Sequence, residues 1–174
     1  YLAMIESDAG KSKFEILYSE YKNLMYYTAN RILRNSSDAE DVVHQAFLKV
    51  IEILDTISSL RCHKTRALLV TITEHKAIDL YREKQRRNVL PLAEEYIGAA
   101  PAAEIERLAE HDTLAAAIAS LPPRYRSVLL LRYDCGYSNA EIANILDTTE
   151  PNVRKLIQRA KEKLSAALSE MEEP

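Results

Sequence analysis

The chain has 174 residues, of which 47% are hydrophobic and 28% charged, and its formal net charge is −3. Three glycines and no alternating strand pattern favour an all-α fold, large enough for one domain or two small ones. Two cysteines, Cys62 and Cys135, are too few for a disulfide framework and are expected to be reduced thiols. No signal peptide or long apolar stretch is visible, which predicts a cytoplasmic protein without membrane insertion.

Charge is unevenly distributed along the sequence. Residues 60–87 carry 8 basic and 3 acidic side chains, and residues 113–163 carry 8 and 5, whereas residues 88–112 carry 1 and 6. Two basic blocks are typical of two surfaces that contact phosphate. The acidic stretch, interrupted by Pro91, Gly98 and Pro101, predicts a linker over 88–112, with room for a short helix from Ala102. The predicted domains are therefore 1–87 and 113–174.

The first predicted domain opens with two amphipathic helices. Apolar side chains at three- and four-residue steps predict the first: Phe14, Leu17, Tyr18, Tyr21, Leu24, Met25, Thr28, Ala29, Ile32 and Leu33. The polar run 34–37 ends it, and Ser36 or Ser37 is expected to cap the second helix, whose first turn holds acids that suit the helix dipole. Its apolar stripe comprises Ala39, Val42, Val43, Ala46, Phe47, Val50, Ile51 and Leu54.

A third helix is predicted from about Lys64 to Arg87. Its inward side chains are expected to be Leu68, Leu69, Ile72, Ile78 and Leu80. Its outward side chains are expected to be Lys76, Arg82, Lys84, Arg86 and Arg87. The basic end of this helix therefore forms a candidate phosphate-contacting surface.

The second predicted domain contains a helix-turn-helix. Ser138 and Glu141 have capping-box spacing, Asp147-Thr148 forms the turn, and Thr149 with Pro151 suits the start of the next helix. In that helix Val153, Leu156, Ile157, Ala160 and Leu164 form a buried stripe. The open side holds Asn152, Arg154, Lys155, Gln158, Arg159 and Lys161. Arginine pairs with guanine and asparagine or glutamine with adenine, so this helix suits the major groove.

The segment that precedes and enters the helix-turn-helix resembles a known family. It reads Leu121-Pro122-Pro123-Arg124-Tyr125-Arg126-Ser127-Val128-Leu129-Leu130-Leu131-Arg132-Tyr133, followed by Gly136, Ser138 and Glu141-Ile142-Ala143. This pattern is similar to region 4 of bacterial RNA polymerase sigma factors, of the small extracytoplasmic-function type in the sigma-70 family. The resemblance implies a domain that binds the β flap of core polymerase and reads the −35 promoter element with the six open-side residues.

The likeness extends to region 2 and covers about residues 14–168. Asp38-Ala39-Glu40-Asp41-Val42-Val43 resembles the helix that docks on the β′ coiled coil, which implies docking residues Asp38, Asp41, His44 and Gln45. Ala77-Ile78-Asp79 and the basic run after it resemble the segment that recognises and melts the −10 element. The implied residues there are His75, Lys76, Asp79, Arg82, Lys84, Arg86 and Arg87. The resemblance also implies an anti-sigma factor, and a linker threaded through polymerase channels.

The sequence departs from the family pattern at several positions. His44 and Gln45 stand where a glutamine and an acid are usual, which alters the expected polymerase contact. Leu68 replaces a frequent tryptophan, and Thr73-Glu74-His75 replaces a frequent Ala-Arg-Asn, so a flipped −10 base is expected to meet different side chains. Asp147 stands at the usual glycine of the turn, and aspartate tolerates the left-handed conformation.

Two other functions were weighed against this one. Asp38, Glu40, Asp41 and His44 would suit a metal-dependent enzyme, but acids at a helix start are more often dipole and capping residues. No second carboxylate or histidine cluster completes a site, and His63 and His75 are isolated, so no metal, cofactor or catalysis is expected. The second alternative is a stand-alone helix-turn-helix regulator, which binds duplex DNA alone, usually as a dimer.

Overall fold

The computed structural model describes residues 1–87 and 113–172, and the linker prediction for 88–112 lies outside these ranges. The described residues form seven α-helices and no strand, which confirms the all-α class. The chain divides into two compact units, Tyr1–Leu92 and Ala93–Pro174, and each is considered by itself below. None of the described helices combines the length and apolar character that a membrane crossing requires.

The first unit is a bundle of three helices: α1 (Asp8–Leu33), α2 (Ser36–Glu52) and α3 (His63–Arg87), each packed against the other two. Two short 3₁₀ turns, Leu2–Met4 and Leu54–Thr56, flank them. The predicted stripes of α1 and α2 supply most of the core, in which Leu17, Met25, Val42, Phe47, Leu68 and Leu69 are fully buried. Burying such side chains contributes roughly 1.5–3 kcal/mol each, so the amphipathic pattern determines the bundle.

The helix ends are fixed by local hydrogen bonds. The Ser7 hydroxyl accepts a hydrogen bond from the Gly10 amide at 3.0 Å and caps α1, and Arg34 ends that helix in the left-handed conformation at φ 50°. The cap of α2 is Asn35, whose side chain accepts from the Asp38 amide at 3.0 Å. The expectation that Ser36 or Ser37 caps α2 is therefore wrong by one or two residues, because asparagine caps as well as serine and lies ahead of both.

Helix α3 has two parts with different surroundings. Its first half is packed, with Thr65, Leu68, Leu69, Val70, Thr71, Ile72, Thr73, Glu74 and Ala77 buried. Beyond Ala77 no residue of α3 is buried, and Ile78 and Leu80, expected inside, are only half-buried. The basic end of α3 therefore lies at the margin of the bundle rather than against its core.

The second unit consists of α4 (Thr113–Ser120), α5 (Pro123–Leu129), a π-helical turn (Leu130–Asp134), α6 (Asn139–Ile145) and α7 (Glu150–Glu172). Helices α4, α5 and α6 all pack against α7. The core between them contains Ala117, Leu121, Val128, Leu131, Ile142, Val153 and Ala160. Helix α7 is thus the element that the other three helices share, and many of its remaining side chains are exposed.

Candidate DNA-binding and docking surfaces

The helix-turn-helix is held by the predicted capping box. The Ser138 hydroxyl accepts from the Glu141 amide at 3.2 Å, and the Glu141 carboxylate accepts from the Ser138 amide at 2.7 Å. These bonds to the backbone and side chain of Ser138 lower the pKa of the Glu141 carboxyl. In the turn, Asp147 adopts φ 50° and the Thr148 amide bonds the Ala143 carbonyl at 2.9 Å. Aspartate therefore serves in the left-handed turn position, as expected.

The open side of α7 is the first candidate DNA-binding surface. Val153, Ile157 and Ala160 are buried, and Leu156 and Leu164 are half-buried, so the predicted stripe faces the core. The six candidate −35 residues are all exposed: Asn152, Arg154, Lys155, Gln158, Arg159 and Lys161. An anchored helix that presents arginine, lysine and amide side chains to solvent has the chemistry that major-groove recognition requires.

Three of these side chains already have partners close by in sequence. The Arg154 guanidinium pairs with the Glu150 carboxylate at 2.6 Å. Gln158 donates to Glu162 at 3.2 Å, and Asn152 donates to the Thr148 hydroxyl at 3.4 Å. Each partner lies four residues away, on the same helix or in the turn before it. A base that bound these side chains would have to replace contacts they make in the free protein.

Aromatic residues flank α7 on both sides. The Lys161 ammonium lies 5.2 Å from the ring centroid of Tyr133, and the Lys163 ammonium lies 5.7 Å from that of Tyr125. Tyr125 is buried and its hydroxyl accepts from Arg124 at 2.7 Å. Tyr133, by contrast, is 60% exposed and belongs to the π-helical turn. Tyr133 belongs to the segment that resembles region 4, but the sequence pattern assigned it no functional role.

The basic end of α3 is the second candidate DNA-binding surface. Asp79, Lys84, Arg86 and Arg87 are exposed, and Lys76 and Arg82 are half-buried. Arg87 forms an ion pair with Glu83 one turn earlier. Lys84 forms an ion pair with Asp38 at the start of α2. The structure therefore joins a residue expected to contact DNA with one expected to contact polymerase.

His75 and its neighbours differ from the expected base-contacting surface. Thr73 and Glu74 are buried, and the Thr73 hydroxyl bonds the Leu69 carbonyl at 2.8 Å, so neither is placed to meet a flipped base. The expectation that a flipped −10 base meets different side chains here is therefore not supported by the buried positions of Thr73 and Glu74. Burial, with a smaller effect from Arg82, lowers the pKa of His75 to about 4. His75 is therefore neutral near pH 7 and adds no positive charge to the surface.

The polar face of α2 is the candidate docking surface. Asp41, His44 and Gln45 are exposed, opposite the buried Val42, Ala46 and Phe47. The Asp38 side chain is only 17% exposed, because it pairs with Lys84.

A contact near this face involves the first residue of the chain. The Tyr1 hydroxyl and His44 Nδ1 are 2.7 Å apart, and the Tyr1 ring also lies against Phe14, Tyr18 and Phe47. Desolvation, and more weakly Tyr18, raises the pKa of Tyr1. Among residues 1–87, Asp41 and Gln45 are the candidate docking residues whose side chains form no hydrogen bond with another described side chain.

The described ranges contain no group of three or more His, Cys, Asp or Glu side chains that could hold a metal ion. Cys62 lies at the start of α3, where hydrogen bonds from Thr65 lower its pKa to about 7. Its thiol lies 3.4 Å from the Thr65 hydroxyl.

Comparison with known protein families matches both units. Residues 17–87 match the family described as Sigma-70 region 2, and residues 111–164 match the one described as Sigma-70, region 4. The first range includes the candidate docking face and the basic end of α3, and the second includes the helix-turn-helix.

Individual relatives align over most of the chain. The ECF RNA polymerase sigma factor SigL of Mycobacterium tuberculosis is 29% identical over 157 residues, which is 89% of this chain and 88% of the relative. The ECF RNA polymerase sigma factor SigW of Bacillus subtilis is 27% identical over 163 residues, 87% and 86% respectively. A solved structure of CnrH with the cytosolic domain of CnrY is 28% identical, with a TM-score of 0.40, covering 90% of this chain and 87% of that one.

Proposed function

We propose that this chain, which belongs to the sigma-70 family and carries its region 2 and region 4 domains, binds core RNA polymerase and directs promoter-specific initiation of transcription. The observation that carries the proposal is the presence of both domains in one chain, each with an exposed polar surface. A regulatory role of this kind requires no catalysis by the chain itself. It also places the protein in the cytoplasm, where polymerase and promoter meet.

The open side of α7 is proposed to read the −35 element in duplex DNA. Arg154 and Gln158 lie one turn apart and Asn152 lies in the first turn, where recognition helices usually meet base edges. Lys155, Arg159 and Lys161 are assigned to the phosphate backbone beside them. The exposure of all six side chains makes each of them accessible to duplex DNA.

The basic end of α3 is proposed to act at the −10 element, where the strands separate. Arg82, Lys84, Arg86 and Arg87 supply positive charge there, and Lys76 and Asp79 lie on the preceding turns. The position of this segment beyond the buried half of α3 supports the assignment, because it is accessible without unfolding the bundle. His75, being neutral, is assigned no phosphate contact.

The polar face of α2 is proposed to dock on the β′ coiled coil of polymerase through Asp41 and Gln45, with His44 and Asp38 beside them. The second unit is proposed to bind the β flap. An anti-sigma factor that restrains the protein stays a prediction from the family resemblance.

Run-off transcription with purified core polymerase tests the central proposal. Fragments of the cognate genome are transcribed by core alone and by core with the full chain. We expect discrete start sites that require the chain. Equal initiation with and without it would refute the proposal.

A gel-shift assay separates this function from that of a stand-alone regulator. The promoter fragments selected by run-off are mixed with the chain, with core, and with both. A sigma factor forms a specific complex only when core is present. Tight specific binding by the chain alone, on repeated half-sites, would favour the regulator instead.

A further inference from the structure

The π-helical turn before the helix-turn-helix presents an exposed tyrosine beside the recognition helix. The Cys135 amide bonds the Leu130 carbonyl at 2.9 Å, which closes the wide turn, and Gly136 follows at φ 79°. Glycine adopts φ 79° without the steric cost that a side chain adds, so Gly136 suits this exit from the turn. Single π-helical turns within α-helices occur frequently at functional sites. The turn is therefore a candidate for a DNA contact in addition to those of the helix-turn-helix.

Tyr133 is unusual among the residues of this turn. Leu131 is fully buried and anchors the turn, whereas Tyr133 is 60% exposed. Within residues 113–172 as described, its hydroxyl forms no hydrogen bond. Its hydroxyl is therefore available to donate to a ligand, and its ring is open to contact by a neighbouring side chain.

The neighbour of Tyr133 indicates which kind of ligand would suit the hydroxyl. The Lys161 ammonium lies 5.2 Å from the centroid of the Tyr133 ring, within the range of a cation–π contact. This contact restricts a long, flexible side chain at the edge of the recognition helix. The hydroxyl of Tyr133 and the ammonium of Lys161 thus belong to side chains in contact, and both residue types contact phosphates in protein–DNA complexes.

From these contacts we infer that Tyr133 and Lys161 form one phosphate-binding site, in which the hydroxyl donates to a backbone oxygen and the ring positions the ammonium. The inference rests on the proposed function in one respect, namely that the open side of α7 binds duplex DNA. It adds Tyr133, a residue outside the helix-turn-helix, to the DNA-contacting set. The two residues contribute differently, since the hydroxyl is neutral and only the ammonium displaces a counterion.

The test uses the full chain and mixed-sequence duplex DNA at low ionic strength, with fluorescence anisotropy measured over a series of salt concentrations. Tyr133→Phe removes the hydroxyl alone, and we expect binding to weaken about three- to tenfold, as for one lost hydrogen bond, with the salt slope unchanged. Lys161→Ala is expected to lower the salt slope by roughly one. Tyr133→Ala removes both the hydroxyl and the ring. Because the ring positions Lys161, the double variant Tyr133→Ala/Lys161→Ala should lose less DNA affinity than the product of the losses of the two single variants.

Tyr27→Phe is the matched control. Tyr27 is 61% exposed and the Arg31 guanidinium lies 5.8 Å from its ring centroid, so it repeats the local chemistry of Tyr133 on α1. We expect it to bind DNA as the wild type does. Thermal unfolding checks that each variant remains folded.

The outcomes separate this inference from the proposed function. Wild-type affinity for Tyr133→Phe, or an equal loss for Tyr27→Phe, would overturn the inference. A loss of affinity for core polymerase without any loss for DNA would also overturn it and assign Tyr133 to a protein interface. Weaker DNA binding by Tyr133→Phe, in a protein that nevertheless directs no run-off transcription, would support the inference and refute only the proposed function.

Discussion

The Arg154 guanidinium has two competing partners, the Glu150 carboxylate and a base of the proposed −35 element. In the free protein its guanidinium pairs with Glu150, and an exposed pair at this spacing is worth about 0.3–0.5 kcal/mol. A bidentate contact with guanine discriminates by about 1–3 kcal/mol, so guanine wins the competition. With any other base the guanidinium keeps its pair with Glu150, so the pair lowers the net advantage of guanine by the same few tenths of a kcal/mol.

Promoter-library selection with holoenzyme tests this assignment. Arg154→Ala should cost about 1–3 kcal/mol and relax the preference at one base pair of the −35 element. Glu150→Gln should keep the same preferred base and slightly raise its selectivity, because binding guanine then breaks no ion pair. Lys161→Ala should instead weaken all sequences about equally. A −35 logo unchanged by Arg154→Ala and reshaped by Lys161→Ala would show that the helix faces are assigned wrongly.

His75 makes stability depend on pH. Its pKa is about 4 in the folded protein and about 6.5 when unfolded, so the unfolded chain binds the extra proton between these values. The stabilisation is complete above about pH 6.5 and is lost as the pH falls towards 4. Between pH 7 and pH 5 the free energy of unfolding of the wild type should fall by on the order of 1–3 kcal/mol more than that of His75→Gln. Urea unfolding of both proteins at pH 7 and pH 5 measures it, and identical pH dependence would contradict the prediction.

Residue pairs differ in how far the sequence predicts them. Ser138 with Glu141 was predictable because three-residue spacing at a helix start is a local signature. Glu150 with Arg154 has an equally local spacing. The ion pair between Asp38 and Lys84 spans 46 positions, so no periodicity predicts it; it exists because the bundle brings the start of α2 to the end of α3.

The elements were predicted more fully than the pairs. Amphipathic periodicity placed all three helices of the first unit and both helices of the helix-turn-helix, since burial of one face is what each helix gains by folding. Burial was wrongly predicted where the apolar pattern of α3 continued beyond the helices that pack against it. Ile78 and Leu80 match the stripe of α3 but lie beyond the bundle, and single-helix periodicity contains no information about where neighbouring helices end.

Helix α2 permits a sharp test of docking. Asp41→Lys is expected to weaken binding to core polymerase while leaving helicity intact, because the residue is exposed and opposite the buried face. Glu40→Lys makes the same charge change about 100° around the helix and serves as the control. Binding is measured by competition for core, with circular dichroism as the check on folding. Equal effects of the two variants would move the interface away from this face.

At the scale of the whole molecule, net charge is a poor guide to function. The chain is acidic overall, at −3, yet each unit exposes a basic surface. Residues 1–59, 88–112 and 164–174 carry net charges of −3, −5 and −3, so the sign of the total comes from segments outside the two basic surfaces. The distribution, rather than the sum, indicated the partner.

Neutralising Arg82, Lys84, Arg86 and Arg87 together tests the basic end of α3 within the intact holoenzyme. We expect a flatter salt dependence of promoter binding, since each lost phosphate contact releases one fewer counterion. Permanganate footprints over the −10 element should also lose signal. If both measurements match the wild type, the charges are a solvated surface and the melting role is wrong.

The ion pair between Asp38 and Lys84 has a thermodynamic consequence for assembly. Each residue belongs to a different proposed interface, and their pair offsets the charge that each would present to a new partner. A cation of polymerase that took Asp38 would release Lys84 for phosphate, so polymerase would raise the affinity for DNA. Linkage requires the reverse as well, and DNA held by Lys84 would raise the affinity for polymerase by the same factor. One surface contact would then make the two binding events cooperative.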